Sequence, residues 1–431
     1  MKSLEITHLD AIQILDSRGY PTVHVALTAG DGARVAASAP AGASTGAHEA
    51  AELRDGGAEW NGRGVTKAVA AVNGPIADLL TASSWESIGA LDGAMTELDG
   101  MPDKSRLGAN AIVAVSMAAA RGFAHAAELP LHAWISGQLG TSQRLPIPHF
   151  NVLNGGAHAA NELDFQEFMI APVGAASYSE AVRCGAEVYH ALAAELRRRG
   201  LATGLGDEGG FAPEIARPEQ ALDLLLAAID AAGYRAGVDA DVAIAIDPAA
   251  NGFYVDGGYT VGGTRYTSDG LVDLYQALVD DYPIWSIEDG VAEDDGAGWR
   301  TISTRLKGRV QIVGDDNLVT SPARILAAAE DGTVTAALIK VNQIGTVSET
   351  FEALTVAREH RLGAMISHRS GETPDTFVAD LAVGSGVGQL KSGAPARGER
   401  IAKYNRLLEI EHDDAGLPYR LPDGRVAAAI R

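Results

Sequence analysis

Cysteine is nearly absent: the 431 residues hold one, Cys184, so no intramolecular disulfide can form and a disulfide-built secreted scaffold is excluded. That thiol reads most simply as core filling. Basic charge is also short. Against 56 Asp and Glu stand 34 Lys and Arg, a net charge of -22 with no strong local basic patch. Such a balance repels a phosphate backbone or an anionic bilayer, so neither a nucleic-acid nor a membrane partner is expected. Long apolar runs are missing too. Residues 111–120 and 222–232 are the most apolar stretches, and the second contains Asp223 and Asp230; both fall short of the roughly 20 residues a membrane span needs. The start carries Glu5 and Asp10 with no apolar stretch behind a basic segment, so no signal peptide is read and a cytoplasmic location is the expectation. What the chain does have is a globular composition, 46% hydrophobic and 21% charged. Its length suits about three domains, or two if one is a large barrel.

Residues 4–37 alternate in short β-branched pieces, with turn signals at Arg18-Gly19-Tyr20-Pro21 and Gly30-Asp31-Gly32, which predicts a small meander. From 65 to 128 the period becomes helical, clearest over the alanine-rich residues 107–127, where close helix packing is expected. Residues 136–148 are rich in Gly, Ser, Thr and Pro and are read as a linker. The division is an α+β domain over residues 1–137 and a second domain over 138–431.

In the second domain apolar strand-like runs alternate with helical segments, the pattern of a parallel sheet. Each run ends in an ionisable group: Asp247, Glu288, Asp315, Lys340, then His368 with Arg369, and Lys391. The intervals of 41, 27, 25, 29 and 22 residues each accommodate a strand, a helix and two loops. In a (β/α)8 barrel the carboxyl ends of all strands meet on one face, so six groups spread over 144 positions would converge. A single strand-end acid is usually a helix cap or a surface residue; six in register are not.

Asp247, Glu288 and Asp315 form an all-oxygen, anionic set of the kind Mg2+ prefers, without the Cys or His of a zinc site. The bland account is a repulsive cluster of three acids held apart and solvated; burying three carboxylates without a cation is costly. Lys340 is the candidate base, its pKa expected to be lowered by neighbouring cations; taken alone it equally suits an ammonium paired with a carboxylate. Opposite it is placed the loop Gly204-Leu205-Gly206-Asp207-Glu208-Gly209-Gly210, carrying Glu208. This loop matches G-x-G-x-x-G, yet it follows the basic helical run Arg197-Arg198-Arg199 instead of a strand, and Pro213 stands where a helix should start. A dinucleotide site is therefore rejected. The small-residue loop Ala41-Gly42-Ala43-Ser44-Thr45-Gly46 has no Lys, so it is no Walker A loop. It reads either as a mobile lid whose Ser44 reaches a metal or phosphate, or as a plain turn. Arg369 with Ser370 is a plausible clamp for an oxyanion or phosphate, and Lys391 adds charge for a substrate carboxylate.

Together these stretches spell a pattern: Asp16-Ser17-Arg18-Gly19, Gly42-Ala43-Ser44-Thr45-Gly46, Gly206-Asp207-Glu208-Gly209-Gly210, Lys340-Val341-Asn342-Gln343, Ser367-His368-Arg369-Ser370-Gly371-Glu372 and Lys391-Ser392-Gly393-Ala394-Pro395. Nearly end to end, the chain resembles the enolase family, glycolytic hydro-lyases that dehydrate 2-phosphoglycerate to phosphoenolpyruvate. The resemblance implies an N-terminal α+β lid domain followed by a ββαα(βα)6 barrel, and a homodimer or an octamer of dimers. It implies two Mg2+ per site, the first held by Asp247, Glu288 and Asp315, the second arriving with substrate and joined by Ser44. It makes Lys340 the base that takes the proton α to the carboxylate, and Glu208, helped by Glu167, the acid for the departing hydroxide. His158, Glu167, His368, Arg369, Ser370 and Lys391 would hold the substrate.

Several positions depart from the family pattern: Tyr20 for Asn, Ala41 for Ser, Gly290 for Pro and Asn317 for Leu. His24 and Glu409 stand where the family pairs Glu and Arg across the dimer. The losses at Ala41 and Gly290 are expected to enlarge or loosen the barrel mouth. Two alternatives stand beside the glycolytic reading. One is an enolase-like dehydratase of phosphonate biosynthesis, similar to carboxyphosphonoenolpyruvate synthase, with a phosphonoformyl group in place of the phosphate. The other is a non-catalytic interaction protein on the same scaffold.

Overall fold

The computed structural model describes residues 2–42 and 46–422. Strands β1 (Leu4–Leu15), β2 (Pro21–Ala29) and β3 (Arg34–Ser38) form an antiparallel meander, closed at its other edge by β4 (Ser84–Trp85) in the order β3-β2-β1-β4. The first turn is built by Asp16, whose Oδ1 accepts from the backbone N–H of Arg18 at 2.8 Å and of Tyr20 at 2.9 Å, while Gly19 takes φ +78°. Tyr20 lies beneath the Arg63 guanidinium, 4.3 Å from its ring centre.

Helix Ala109–Ala126 packs on β2 and β3, and its alanines are buried on nearly every side. Small side chains allow that close approach. Its Arg121 reaches across to Asp375, with two N–H···O contacts of 2.8 Å, tying the first domain to the second. Helix Leu131–Leu139 ends at Gly140, φ +61°, and the next strand begins at Ile147. The expected linker at 136–148 is thus shorter: residues 136–139 belong to the helix, and the irregular stretch is 140–146.

Eight strands then close a barrel: β5 (Ile147–Asn154), β6 (Glu167–Ala171), β7 (Ala243–Asp247), and, after a small outlying sheet of β8 (Tyr254–Val255), β9 (Gly258–Val261) and β10 (Thr264–Tyr266), β11 (Ile284–Glu288), β12 (Gln311–Gly314), β13 (Ala336–Ile339), β14 (Gly363–Ser367) and β15 (Gln389–Lys391). The element order is ββαα(βα)6, as the resemblance implies. Alternation alone predicted a parallel sheet, whereas β6 runs antiparallel to both neighbours, Asn154 opposite Glu167 and Glu167 opposite Asp247. The reversal matters: it delivers Glu167, from the start of its strand, to the face where the other strands end.

The departure at Gly290 does not open the mouth. A side chain on Gly290 would meet Ile302 Cδ1 at 2.7 Å and Ile287 Cγ2 at 3.1 Å, so neighbours occupy the volume a proline ring would fill. Ala41 is buried and exchanges two backbone hydrogen bonds of 2.8 Å with Gly371. The expectation of an enlarged mouth is corrected at Gly290. His24 and Glu409 find partners within the chain, Ser38 and Arg406 respectively.

Among the described residues, no single helix is long and apolar enough to cross a membrane.

Candidate active site

Barrel geometry brings the chosen side chains to one end. Asp247 and Glu288 close β7 and β11, Asp315 follows β12, Lys340 follows β13, His368 to Ser370 follow β14 and Lys391 ends β15. His158 sits on a single turn after β5, and Glu208 lies in a loop whose neighbour Phe211 bridges to Leu153 of β5. Glycine is needed there, since a Cβ on Gly206 or Gly210 would fall within 3 Å of Asn154. Of the residues expected at the site, all but Glu288 and Ser44 line one cavity of about 30 Å³, enough for two or so waters. Glu288 lies beneath Lys391; Ser44 lies outside the described residues.

Four carboxylates and two ammonium groups are buried together here. Lys391 Nζ lies 2.8 Å from Glu288 Oε1, 2.9 Å from Asp247 Oδ2 and 3.1 Å from Glu167 Oε1. Burial opposes its charge, but these carboxylates prevail and hold its pKa well above the ordinary lysine value. Lys340 Nζ is paired with Asp315 Oδ2, whose other oxygen accepts from Gln343 Nε2 at 2.8 Å. Here the sequence expectation is corrected. Burial does push the Lys340 amine down, and Arg369 and Lys391 act the same way, yet the Asp315 carboxylate outweighs them and the pKa is raised. Lys340 rests as an ammonium while Asp315 faces it.

A second chain of groups runs along the far wall. His158 sits between two acids, Nδ1 at 3.8 Å from Glu167 and Nε2 at 3.8 Å from Glu208. Burial raises Glu167 well above the usual carboxylate range, with Glu208 and Asp247 adding to it. Burial pushes Glu208 the same way, but its contacts with His368 and His158, the hydrogen bond that the His368 ring donates and the Arg400 charge outweigh it and hold this carboxyl low. In this pair the proton rests on Glu167, and Glu208 is ionised.

Arg369 does not present an open fork to the cavity. Glu49 takes its NH1 at 2.9 Å and NH2 at 3.2 Å, and Asn342 accepts from NH1 at 3.2 Å. Glu49 also accepts from the backbone N–H of Gly46 at 3.0 Å. Ser370 Oγ accepts from Arg18 at 3.3 Å. Sequence reasoning missed Glu49, Gln343, Asn151 and Arg400. It also missed Asp289 and Asp316, although each directly follows a chosen acid. Asp289 accepts the backbone N–H of Asp315 at 2.8 Å and of Asp316 at 2.9 Å, orienting the strand-end loop.

Two groups among the described residues gather one ligand atom each within 4.8 Å: His158, Glu167 and Glu208, and Asp289, Asp315 and Asp316. The expected trio Asp247, Glu288 and Asp315 is not such a group, because Lys391 sits between the first two and Lys340 holds the third. The site nevertheless fits a divalent cation. Glu288 Oε2 is buried without a hydrogen-bond partner, burial and Asp247 drive the Glu288 pKa well up, and the donors are all hard oxygens. Asp247, Glu288 and Asp315 would hold the ion.

Comparison with known families agrees with the architecture. Residues 6–135 match the family model described as enolase, N-terminal domain, and residues 142–417 match enolase, C-terminal TIM barrel domain. The chain therefore belongs to the enolase family, and with membership comes the family's chemistry in outline, a lyase-type dehydration that uses a divalent metal.

Proposed function

We propose that this protein converts 2-phosphoglycerate to phosphoenolpyruvate, with Mg2+ as its metal and as a homodimer. The observation that carries the reading is a base, an acid pair and cations lining one small cavity: Lys340, Glu167 with Glu208, and Lys391 with Arg369. Bound Mg2+ would supply positive charge against the substrate carboxylate as electrons move into it.

The protein's own groups do the rest. Lys340 takes the C2 proton once Asp315 turns away from its amine; burial and the nearby cations then favour the free base. The C–H electron pair passes into the carboxylate, which Lys391 faces, and returns to form the C2=C3 bond as the C3–O bond breaks. Hydroxide leaves as water with a proton from the Glu167–Glu208 pair. Ser370, Ser44 and His158 hold the phosphate and the hydroxyl, and Arg369, its fork gripped by Glu49, adds positive charge beside the phosphate. His368 acts on Glu208.

Purified protein with Mg2+ and 2-phosphoglycerate tests this, with phosphoenolpyruvate followed by absorbance. Magnesium-dependent product formation is expected. Turnover of a 2-phosphonoformyl-glycerate with none of 2-phosphoglycerate would move the assignment to phosphonate biosynthesis, and turnover of neither would leave the scaffold without this chemistry. Sedimentation of the same sample checks the dimer.

A further inference from the structure

Arg400 is wholly buried in the helix Gly398–Asp413, and its guanidinium is directed into the loop after β14. One NH1 hydrogen goes to His368 Nδ1 and the other to the carbonyl of Arg369. NH2 donates to the carbonyls of Ser370 at 2.6 Å and Asp207 at 3.3 Å. A guanidinium has no acceptor and does not lose its proton in a protein. Nδ1 of His368 therefore accepts, and a neutral imidazole that accepts at one nitrogen carries its proton on the other. On the other side of the ring Nε2 lies 3.1 Å from Glu208 Oε2.

The consequence passes to Glu208. Its Oε2 accepts from His368 Nε2–H and also from Asn151 Nδ2 at 3.0 Å. With two donors aimed at it, Oε2 has no place for a proton. The remaining oxygen, Oε1, faces His158 Nε2 at 3.8 Å.

We infer that Arg400 is a positioning residue: it fixes His368 as the neutral Nε2–H tautomer, and through His368 it confines proton exchange at Glu208 to Oε1. The second half rests on the proposed role of Glu208 in the acid pair; the tautomer itself does not. Burial, which pushes His368 down to about 4, agrees with a neutral ring. The arrangement aims one oxygen of a symmetric carboxylate, so the proton has a single route, through His158 and the cavity. Misdirecting that oxygen costs alignment more than binding.

The test is nitrogen NMR of the full chain with Mg2+, labelled with 15N-histidine, and with His368 assigned by its loss in His368→Gln. The wild type should show an unprotonated Nδ1 and a protonated Nε2. A proton on Nδ1, or on both nitrogens, overturns the inference. Arg400→Lys keeps a donor and should keep the single tautomer. Arg400→Met should give a mixture of tautomers and lower kcat on the order of 100-fold, with KM nearly unchanged. A single Nε2–H form in Arg400→Met would show that something else fixes the ring, and the inference falls. Failure of 2-phosphoglycerate turnover in the wild type would remove the proposed function and leave the tautomer result standing.

Discussion

Lys391 is shared by three buried carboxylates, and replacing it with methionine separates its two effects. In metal-free protein, Lys391→Met leaves Asp247, Glu288 and Glu167 without the ammonium that lies 2.8–3.1 Å from each. Breaking a buried pair by removing one partner costs about 3–5 kcal/mol. An unfolding entropy of about 2 cal/mol/K per residue over this chain turns that into a Tm lower by about 3–6 °C. The loss depends on pH in a definite direction. Burial raises Glu167 and Glu288 well above ordinary carboxylates, so in the variant they can take up protons as pH falls, and the gap to wild type narrows toward pH 5. Metal affinity should move the other way. A unit positive charge about 4 Å from a divalent cation at an effective dielectric of 20 opposes it by about 8 kcal/mol; side-chain rearrangement and water entering the variant offset most of this, so Mn2+ should bind the variant at least about tenfold tighter. Calorimetric unfolding in chelator, repeated with Mn2+, together with a Mn2+ titration, reads all three. A variant as stable as wild type in chelator, or one that binds Mn2+ more weakly, would refute the reasoning.

Three further outcomes follow from other residues. Asp92 is fully buried, with a pKa pushed up to about 6 by burial, so its charge opposes folding increasingly as pH rises from 4 through 6. Asp92→Asn should gain about 3 kcal/mol above pH 7 and nothing below pH 4, read from urea melts; a constant difference at all pH values excludes this account. Gly290→Ala should cost about 1–3 kcal/mol by crowding Ile302, and Ile302→Val in the same chain should recover part of it. No recovery would mean that the contact with Ile302 is not the source. Glu49→Gln weakens the grip on Arg369 and on the loop at Gly46, so KM for 2-phosphoglycerate should change by about tenfold with little change in stability, and an unaltered KM would separate Glu49 from the substrate site.

The legible part of this molecule is its periodic part. Strand-like runs ending in Asp247, Glu288, Asp315, Lys340 and Lys391 could be aligned because a barrel converts equivalent chain positions into a shared face. The orientation of β6 was not readable from alternation, since a short buried strand has the same composition whichever way it runs. Glu49, Asn151 and Arg400 carry no pattern either. They are polar residues at irregular distances along the chain, and only the fold puts Arg400 beside His368 or Glu49 beside Arg369. The state of Lys340 also depends on contact: spacing placed it among cations, while the paired Asp315 determines its charge. Gly290 shows the opposite lesson. A missing side chain suggested empty space, and Ile302 had already filled it.

The central claim is that Lys340 removes the proton at C2. Exchange of that proton with deuterated solvent, measured by NMR of 2-phosphoglycerate with Lys340→Ala and Mg2+, tests it most directly. The account predicts no exchange from the variant, with Mn2+ binding largely intact and exchange by the wild type readily seen. Exchange by the variant at the wild-type rate would contradict it.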